Sequence, residues 1–174
     1  MLGAIIGDIV GSVYESNNTK DYNFHLLTSR SRFTDDTVMT LAVAKWLTEE
    51  GEHTHEHLVK CMREMGLKYS WAGYGSKFKR WLIKRDPKPY NSWGNGSGMR
   101  VSPVGLYAHS LDECLELAKI SAEVTHNHPE GIKGAQAIAA SIFLSRQEKP
   151  KEEIRTYIED TFGYDLNRII DSIR

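Results

Sequence analysis

The chain has 174 residues, and its 22 basic and 23 acidic side chains give it a formal net charge of −1 at pH 7. That length fits one domain over residues 1–174, and the balanced charge gives no general reason to bind nucleic acid or an anionic membrane. Because no apolar run approaches the roughly 20 residues of a membrane span, and because Asp8 interrupts the apolar N-terminus, we expect a cytoplasmic protein without a signal peptide.

The first predicted helix covers residues 2–15. Steps of four and three residues put Asp8, Ser12 and Glu15 on one face of it. Three glycines spaced by four predict that another backbone passes close to this helix. A buried helix with an acidic face needs water, a cation or a ligand as the partner of its carboxylates. The helix itself is predicted from the spacing of Leu2, Ile5, Ile6, Ile9, Val10 and Val13.

A polar, irregular stretch over residues 16–32 predicts a long exposed loop, which leads to a second helix over residues 37–49. Their junction holds Thr34, Asp35 and Asp36, directly before an apolar run. Threonine or aspartate in this position is typical of a helix N-cap, which is the more common interpretation. Two adjacent carboxylates and a hydroxyl are also the oxygen ligands that Mg²⁺ takes. A cation site is therefore the alternative.

The rest of the chain predicts further helices and no sheet, because no stretch alternates apolar and polar residues with period two. We therefore expect an all-α fold, a compact helical bundle. His53, His55 and His57 share no helix face, so we expect no metal cluster of these three. Cys61 and Cys114 are typical of core thiols in a reducing compartment, with a disulfide as the alternative. The remaining helices are predicted over residues 54–69, 76–84, 103–109 (short), 110–125, 129–146, 151–162 and, as an amphipathic end, 166–174.

Two later segments carry groups that suit an anionic ligand. Glycines alternate over residues 94–98 and Arg100 follows them. Their backbone N–H groups can approach an anion closely, and the arginine adds a positive charge. The pattern is neither a Walker nor a dinucleotide-binding motif, and a flexible surface loop explains it equally well. His126 and His128 stand just before a helix that starts with proline, where capping, solvent-exposed histidines are the more common interpretation.

In their order along the chain, these segments resemble the ADP-ribosylglycohydrolase family, which includes dinitrogenase reductase-activating glycohydrolase. Each segment alone is a weak signal, but the ordered set spans most of the chain and is highly specific. The matching pieces are residues 3–8 with 11–15, residues 33–37, residues 94–103 and residues 125–131.

The resemblance implies an all-α fold with a cleft for ADP-ribose and two Mg²⁺ ions. It implies that Thr34, Asp35 and Asp36 are metal ligands, that Glu15 faces the scissile ribose from a mobile segment, and that Glu15 and Asp36 are catalytic. The implied reaction is Mg-dependent hydrolysis of the glycosidic bond between ADP-ribose and an acceptor, often a modified arginine or serine. The residues that it puts against the ligand are Gly96, Ser97, Gly98 and Met99 along the diphosphate, and His126 nearby.

The family pattern also includes a late metal-binding motif of the Gly-Gly-Asp-x-Asp-Thr kind, which this chain does not contain. We therefore expect the chain to correspond to the N-terminal part of the family fold and to be a poor hydrolase alone. Self-association through the C-terminal helix, with its apolar Ile169, Ile170 and Ile173, is one expected source of the missing ligands.

Two alternatives to a hydrolase remain. One is a non-catalytic ADP-ribose-binding module with a half-built metal site, and the other is a structural protein that kept only the fold. The acids Asp35, Asp36 and Glu15 argue against a structural protein, because such a protein has no use for buried carboxylates.

Overall fold

The computed structural model describes residues 1–168, and this part of the chain contains helices and no strand. The prediction of an all-α fold is therefore confirmed. No helix among these residues is long and apolar enough to cross a lipid bilayer. The helices are α1 (Leu2–Gly11), α2 (Asp35–Thr48), α3 (His55–Lys68), α4 (Ser76–Ile83), α5 (Gly96–Met99), α6 (Ser102–Tyr107), α7 (Leu111–Glu123), α8 (Pro129–Arg146) and α9 (Lys151–Phe162).

Side chains that precede the helices explain where several of them begin. The hydroxyls of Thr34, Thr54 and Ser110 accept hydrogen bonds from backbone N–H groups in the first turns of α2, α3 and α7. Each bond satisfies a donor that has no partner within its own helix. At the other end of the chain, α9 stops at Gly163, whose φ of +68° is left-handed, as is common after a helix C-terminus.

The core lies where α2 packs against α3 and α6, and where α7 packs against α8. Its large members include Met39 and Trp46 of α2, Leu58 and Met62 of α3, and Trp81 of α4, all of which are buried. Burying an apolar side chain of this size stabilises the fold by roughly 1.5–3 kcal/mol. Helix α2 is thus fixed along its length, and its N-terminal acids are held in place.

The first helix differs from its prediction. It ends at Gly11, four residues early, so Glu15 lies beyond the helix and not on its face with Asp8 and Ser12. It packs against α2 but buries none of its residues, so the prediction of a buried helix is wrong. An added Cβ on any of its three glycines would meet nothing within 4 Å; the expected close backbone is therefore absent from residues 1–168.

Three other predictions have different outcomes. The glycine-rich stretch expected as a loop forms the short helix α5. Cys61 and Cys114 are buried free thiols, so the disulfide alternative is wrong. Of the last predicted helix, residues 166–168 have no regular secondary structure. Its remainder, with Ile169, Ile170, Ile173 and the expected self-association surface, lies outside the described residues.

The contact between α6 and α8 gives a test of the packing. A Cβ added at Gly105 of α6 would lie 2.6 Å from the backbone oxygen of Ala139, whereas one added at Gly134 of α8 would meet only the Tyr164 hydroxyl, 3.9 Å away. We expect Gly105→Ala to lower the free energy of unfolding by about 1–3 kcal/mol through overpacking. The matched control, Gly134→Ala, should raise it by up to about 1 kcal/mol, because alanine favours the helix.

Urea unfolding followed by circular dichroism measures both changes. Equal midpoints for the two variants would mean that α6 and α8 do not meet as closely as described.

Candidate functional site

The carboxylate of Asp8 joins α1 to the first turn of α2. Its Oδ2 accepts hydrogen bonds from the backbone N–H groups of Thr34, at 2.8 Å, and Thr37, at 3.1 Å. The hydroxyl of Thr34 donates to Oδ1 at 2.6 Å, and that of Thr37 donates to Oδ2 at 2.5 Å. An anion at a helix N-terminus is stabilised by the exposed N–H groups and by the helix dipole. The partner of the Asp8 carboxylate is therefore the start of α2, and not the water, cation or ligand that was expected from the sequence.

Asp35 and Asp36 occupy the same first turn, and no salt bridge reaches either carboxylate from the described part of the chain. Burial raises the pKa of Asp36 to about 6, with further contributions from Asp35, Asp8 and Glu15. Burial also raises the pKa of Asp35, against a smaller lowering effect of the positive charge of Lys79. These acids therefore form a cluster whose mutual repulsion a cation would relieve.

The segment before α4 lies close to the Asp35 side chain. Gly73 has a φ of +103°, and a Cβ there would lie 3.4 Å from Oδ1 of Asp35. The neighbouring Tyr74 is buried, and its hydroxyl has no hydrogen-bond partner within residues 1–168. Burial, and the charge of Asp35, raise the pKa of this tyrosine, so its hydroxyl stays protonated near neutral pH. It is a donor group close to the acidic cluster.

One cavity of about 380 Å³ brings together residues from three of the predicted segments. Asp35 of α2, Gly96 and Met99 of α5, and His126 before α8 all line it. Glu15, Thr34 and Asp36 do not line it. Thr34 is buried with its hydroxyl bonded to Asp8, and Glu15 is exposed but close enough to affect the pKa of Asp36.

The glycine segment is divided between two cavities. Ser97 and Gly98 do not line the cavity that holds Asp35; they line a neighbouring one of about 590 Å³. The Ser97 hydroxyl donates to the backbone oxygen of Gly131 at 2.7 Å, which fastens α5 to α8. The carbonyl of Met99 accepts a bond from the Thr40 hydroxyl at 3.3 Å, which fastens α5 to α2.

His126 is held against the glycine segment from behind. Its ring lies where a side chain on Gly96 would be, since a Cβ there would come within 2.9 Å of Cε1. The Thr125 hydroxyl lies 2.7 Å from His126 Nδ1 and accepts a bond from Arg100 Nη2 at 2.9 Å. Because the Thr125 hydroxyl oxygen accepts a bond from the arginine, we expect its O–H to donate to His126 Nδ1. The ring N–H is then on Nε2.

Burial, helped by the charge of Arg100, lowers the pKa of His126 to about 3, so the ring is neutral at physiological pH. His128 instead caps α8, accepting a bond from the Glu130 N–H. The capping interpretation therefore holds for His128 and is wrong for His126, which is buried. Arg100 is also buried, and burial lowers its pKa to about 10, so it stays charged.

Sequence reasoning missed part of the cavity wall. Phe78, in the helix predicted over residues 76–84, and Tyr90 were not expected as site residues; both line the cavity with Ser76, Lys77 and Ser92. The glycines that flank Tyr74 are the signal that could have indicated a close approach there. A larger groove of about 700 Å³ beside α3 contains none of the predicted site residues.

The ADP-ribosylglycohydrolase family model matches residues 1–172. The chain is 28% identical to ADP-ribosylhydrolase ARH3 of Mus musculus, over 99% of this chain and 56% of the relative. Identity to ARH3 of Homo sapiens is also 28%, over 99% and 57%. The ADP-ribosylarginine hydrolase Tri1 of Pseudomonas putida (strain GB-1) is 27% identical, over 88% and 47%. The chain thus spans about half the length of the curated relatives it matches.

The role of Asp8 can be tested by removing its charge. We expect Asp8→Asn to lower the free energy of unfolding by about 1–3 kcal/mol, because the amide loses the charge that strengthens bonds to Thr34 and Thr37. Asp112→Asn is the control: it also removes one carboxylate beside a helix N-terminus, that of α7, but this acid is exposed. Its effect should stay within about 0.5 kcal/mol. Chemical unfolding measures both, and equal losses would contradict the assignment.

Proposed function

Because the chain belongs to the ADP-ribosylglycohydrolase family, we propose that it binds ADP-ribose in the cavity between α2, α5 and His126. We propose further that it takes part in hydrolysing the bond between ADP-ribose and an acceptor. The observation that carries the proposal is the convergence of Asp35, Gly96 and His126 on one cavity. The relatives named ADP-ribosylhydrolase and ADP-ribosylarginine hydrolase support this class of reaction.

The acidic cluster fits a divalent cation, and we propose Mg²⁺. Asp35 and Asp36 offer carboxylate oxygens with raised pKa values, and no salt bridge reaches either of them within residues 1–168. Oxygen-only donor sets suit a hard cation such as Mg²⁺. Thr34 is the third proposed ligand, although its hydroxyl already donates to Asp8, so it would bind through a remaining lone pair.

The glycine segment and His126 would hold the diphosphate and its neighbouring sugar. The lack of a side chain at Gly96 leaves its backbone facing the cavity, and a backbone N–H can then approach an anion closely. Ser97 and Gly98 are also proposed to contact the diphosphate, and they line the neighbouring cavity of about 590 Å³. The N–H on His126 Nε2 would donate to a ligand oxygen without adding charge.

Hydrolysis adds water across the bond between the anomeric carbon of the ribose and the acceptor. That bond breaks, the acceptor leaves with a proton, and positive charge builds on the ribose in the transition state. Glu15 and Asp36 are the proposed carboxylates that take the proton from water and stabilise this charge. When bound, Mg²⁺ would orient the ribose and acidify the attacking water.

A non-catalytic ADP-ribose-binding module is the second candidate. The observation in its favour is that neither Glu15 nor Asp36 lines the cavity that holds Asp35, Gly96 and His126. Binding of ADP-ribose without turnover of peptides ADP-ribosylated on arginine or serine would support the module. Mg-dependent release of ADP-ribose from either peptide would support the hydrolase.

Removing the acidic pair tests the cation site. We expect the double variant Asp35→Asn/Asp36→Asn to lose calorimetric Mg²⁺ binding and to keep its helix content by circular dichroism. Without metal, its free energy of unfolding should rise by roughly 1 kcal/mol, because the repulsion between partly buried carboxylates is gone. The control is Asp112→Asn, which should bind Mg²⁺ as the unchanged chain does. Undiminished Mg²⁺ binding in the double variant would mean that Mg²⁺ binds at a different site.

A side chain at Gly96 tests the ligand cavity. We expect Gly96→Val to weaken ADP-ribose binding by about tenfold or more, because the new side chain pushes on the His126 ring and fills the cavity wall. The control is Gly3→Ala in α1, where an added Cβ meets nothing within 4 Å. Calorimetric titration of ADP-ribose gives both affinities. Equal affinities would exclude this segment from the ligand site.

A further inference from the structure

Three metal-binding side chains of different chemistry meet at the C-terminal end of α2, away from the acidic cluster. Glu49 follows α2, while His57 and Cys61 lie four residues apart on one face of α3. His57 Nε2 lies 2.9 Å from Glu49 Oε2, and the Cys61 sulfur lies 3.6 Å from the same oxygen. One donor atom from each residue fits within a span of 4.8 Å. The sequence excluded a cluster of three histidines, and His57 instead joins a glutamate and a cysteine.

These spacings suit a small tetrahedral ion. Zinc binds sulfur at about 2.3 Å, and nitrogen or oxygen at about 2.0–2.2 Å, so its ligand atoms stand roughly 3.3–3.7 Å apart. The sulfur–oxygen distance already has that value, and the nitrogen–oxygen distance needs only a small opening. The sulfur and the nitrogen lie within 4.8 Å of each other, so they reach the zinc spacing by closing at most about 1.5 Å. The side chain of Glu49 is 42% exposed, which leaves room for a water molecule as the fourth ligand.

Groups around the three donors complete the pattern of a metal site. His57 Nδ1 lies 3.4 Å from the backbone oxygen of Glu52, and a metal-binding histidine commonly directs its second ring nitrogen at such an oxygen. Lys45 lies 3.4 Å from the other oxygen of Glu49, but it also pairs with Glu64 at 2.6 Å, which balances its charge. A thiolate and a carboxylate together neutralise the two charges of a zinc ion.

We propose that Glu49, His57 and Cys61 bind Zn²⁺, which clamps the end of α2 to α3. On binding, the Cys61 thiol loses its proton to solvent and the sulfur bonds to the metal. This site differs from the proposed Mg²⁺ site in position and in ligands. The 14 residues of α2 separate the two by about 20 Å, and the sulfur and nitrogen ligands select zinc over magnesium.

Cobalt titration of the purified chain, after removal of metals with a chelator, tests the proposal. We expect one Co²⁺ per chain to give the near-ultraviolet sulfur-to-cobalt charge-transfer band, and Zn²⁺ to abolish it by displacement. Cobalt bound at the acidic cluster gives no such band, because that cluster contains no thiol. The thermal midpoint should also rise when Zn²⁺ is added, because the metal binds the folded chain preferentially.

Variants assign the band to these side chains. Cys61→Ser should abolish it, and His57→Ala and Glu49→Gln should weaken cobalt binding by about tenfold or more. Cys114→Ser removes the other buried thiol and is the matched control, expected to keep the band. Absence of the band in the unchanged chain, its survival in Cys61→Ser, or its loss only in Cys114→Ser would each overturn the proposal. Circular dichroism of each variant confirms that it is folded.

Discussion

The contact between Asp8 and the start of α2 is the constraint on which the acidic site depends. Four donors from Thr34 and Thr37 converge on this one carboxylate, so it caps α2 and fixes α1 in the same interaction. An acid at a helix N-terminus normally has its charged form favoured. Asp36 has a raised pKa instead, because burial and its acidic neighbours outweigh the helix. Asp8 occupies the favourable end of α2, and Asp35 and Asp36 keep their mutual repulsion.

The opposite wall of the cavity depends on a close approach between α5 and His126. The approach is possible because Gly96 has no side chain, and Thr125 then holds the ring through Nδ1. Arg100 supports Thr125 from a buried position and also bonds the Ser121 carbonyl at 2.6 Å. A buried arginine without a carboxylate partner in the described residues costs stability. Here Arg100 holds Thr125 in place, and Thr125 in turn positions the His126 ring in the cavity wall.

How far the sequence could predict this arrangement follows from the range of each interaction. Caps such as Thr34 and Ser110, and the apolar period of α2, act within a few residues, so the helices they define were predictable. The close contact of Gly96 with His126, and the entry of Tyr90 and Phe78 into the cavity wall, depend on helix packing between distant segments. Periodicity carries no such information. The early end of α1 was likewise missed, because Ser12 and Val13 continue the helical pattern.

The two walls of the cavity carry opposite charge. Asp35, with Asp36 and Asp8 behind it, contributes negative charge on one side, and Arg100, whose pKa of about 10 keeps it charged, contributes positive charge behind Gly96 and His126. Lys77 of α4, which also lines the cavity, adds a positive charge. No salt bridge joins the two sides within residues 1–168. Such a field suits the ligand proposed above, whose central diphosphate is anionic and whose distal ribose would develop positive charge when its bond to the acceptor breaks.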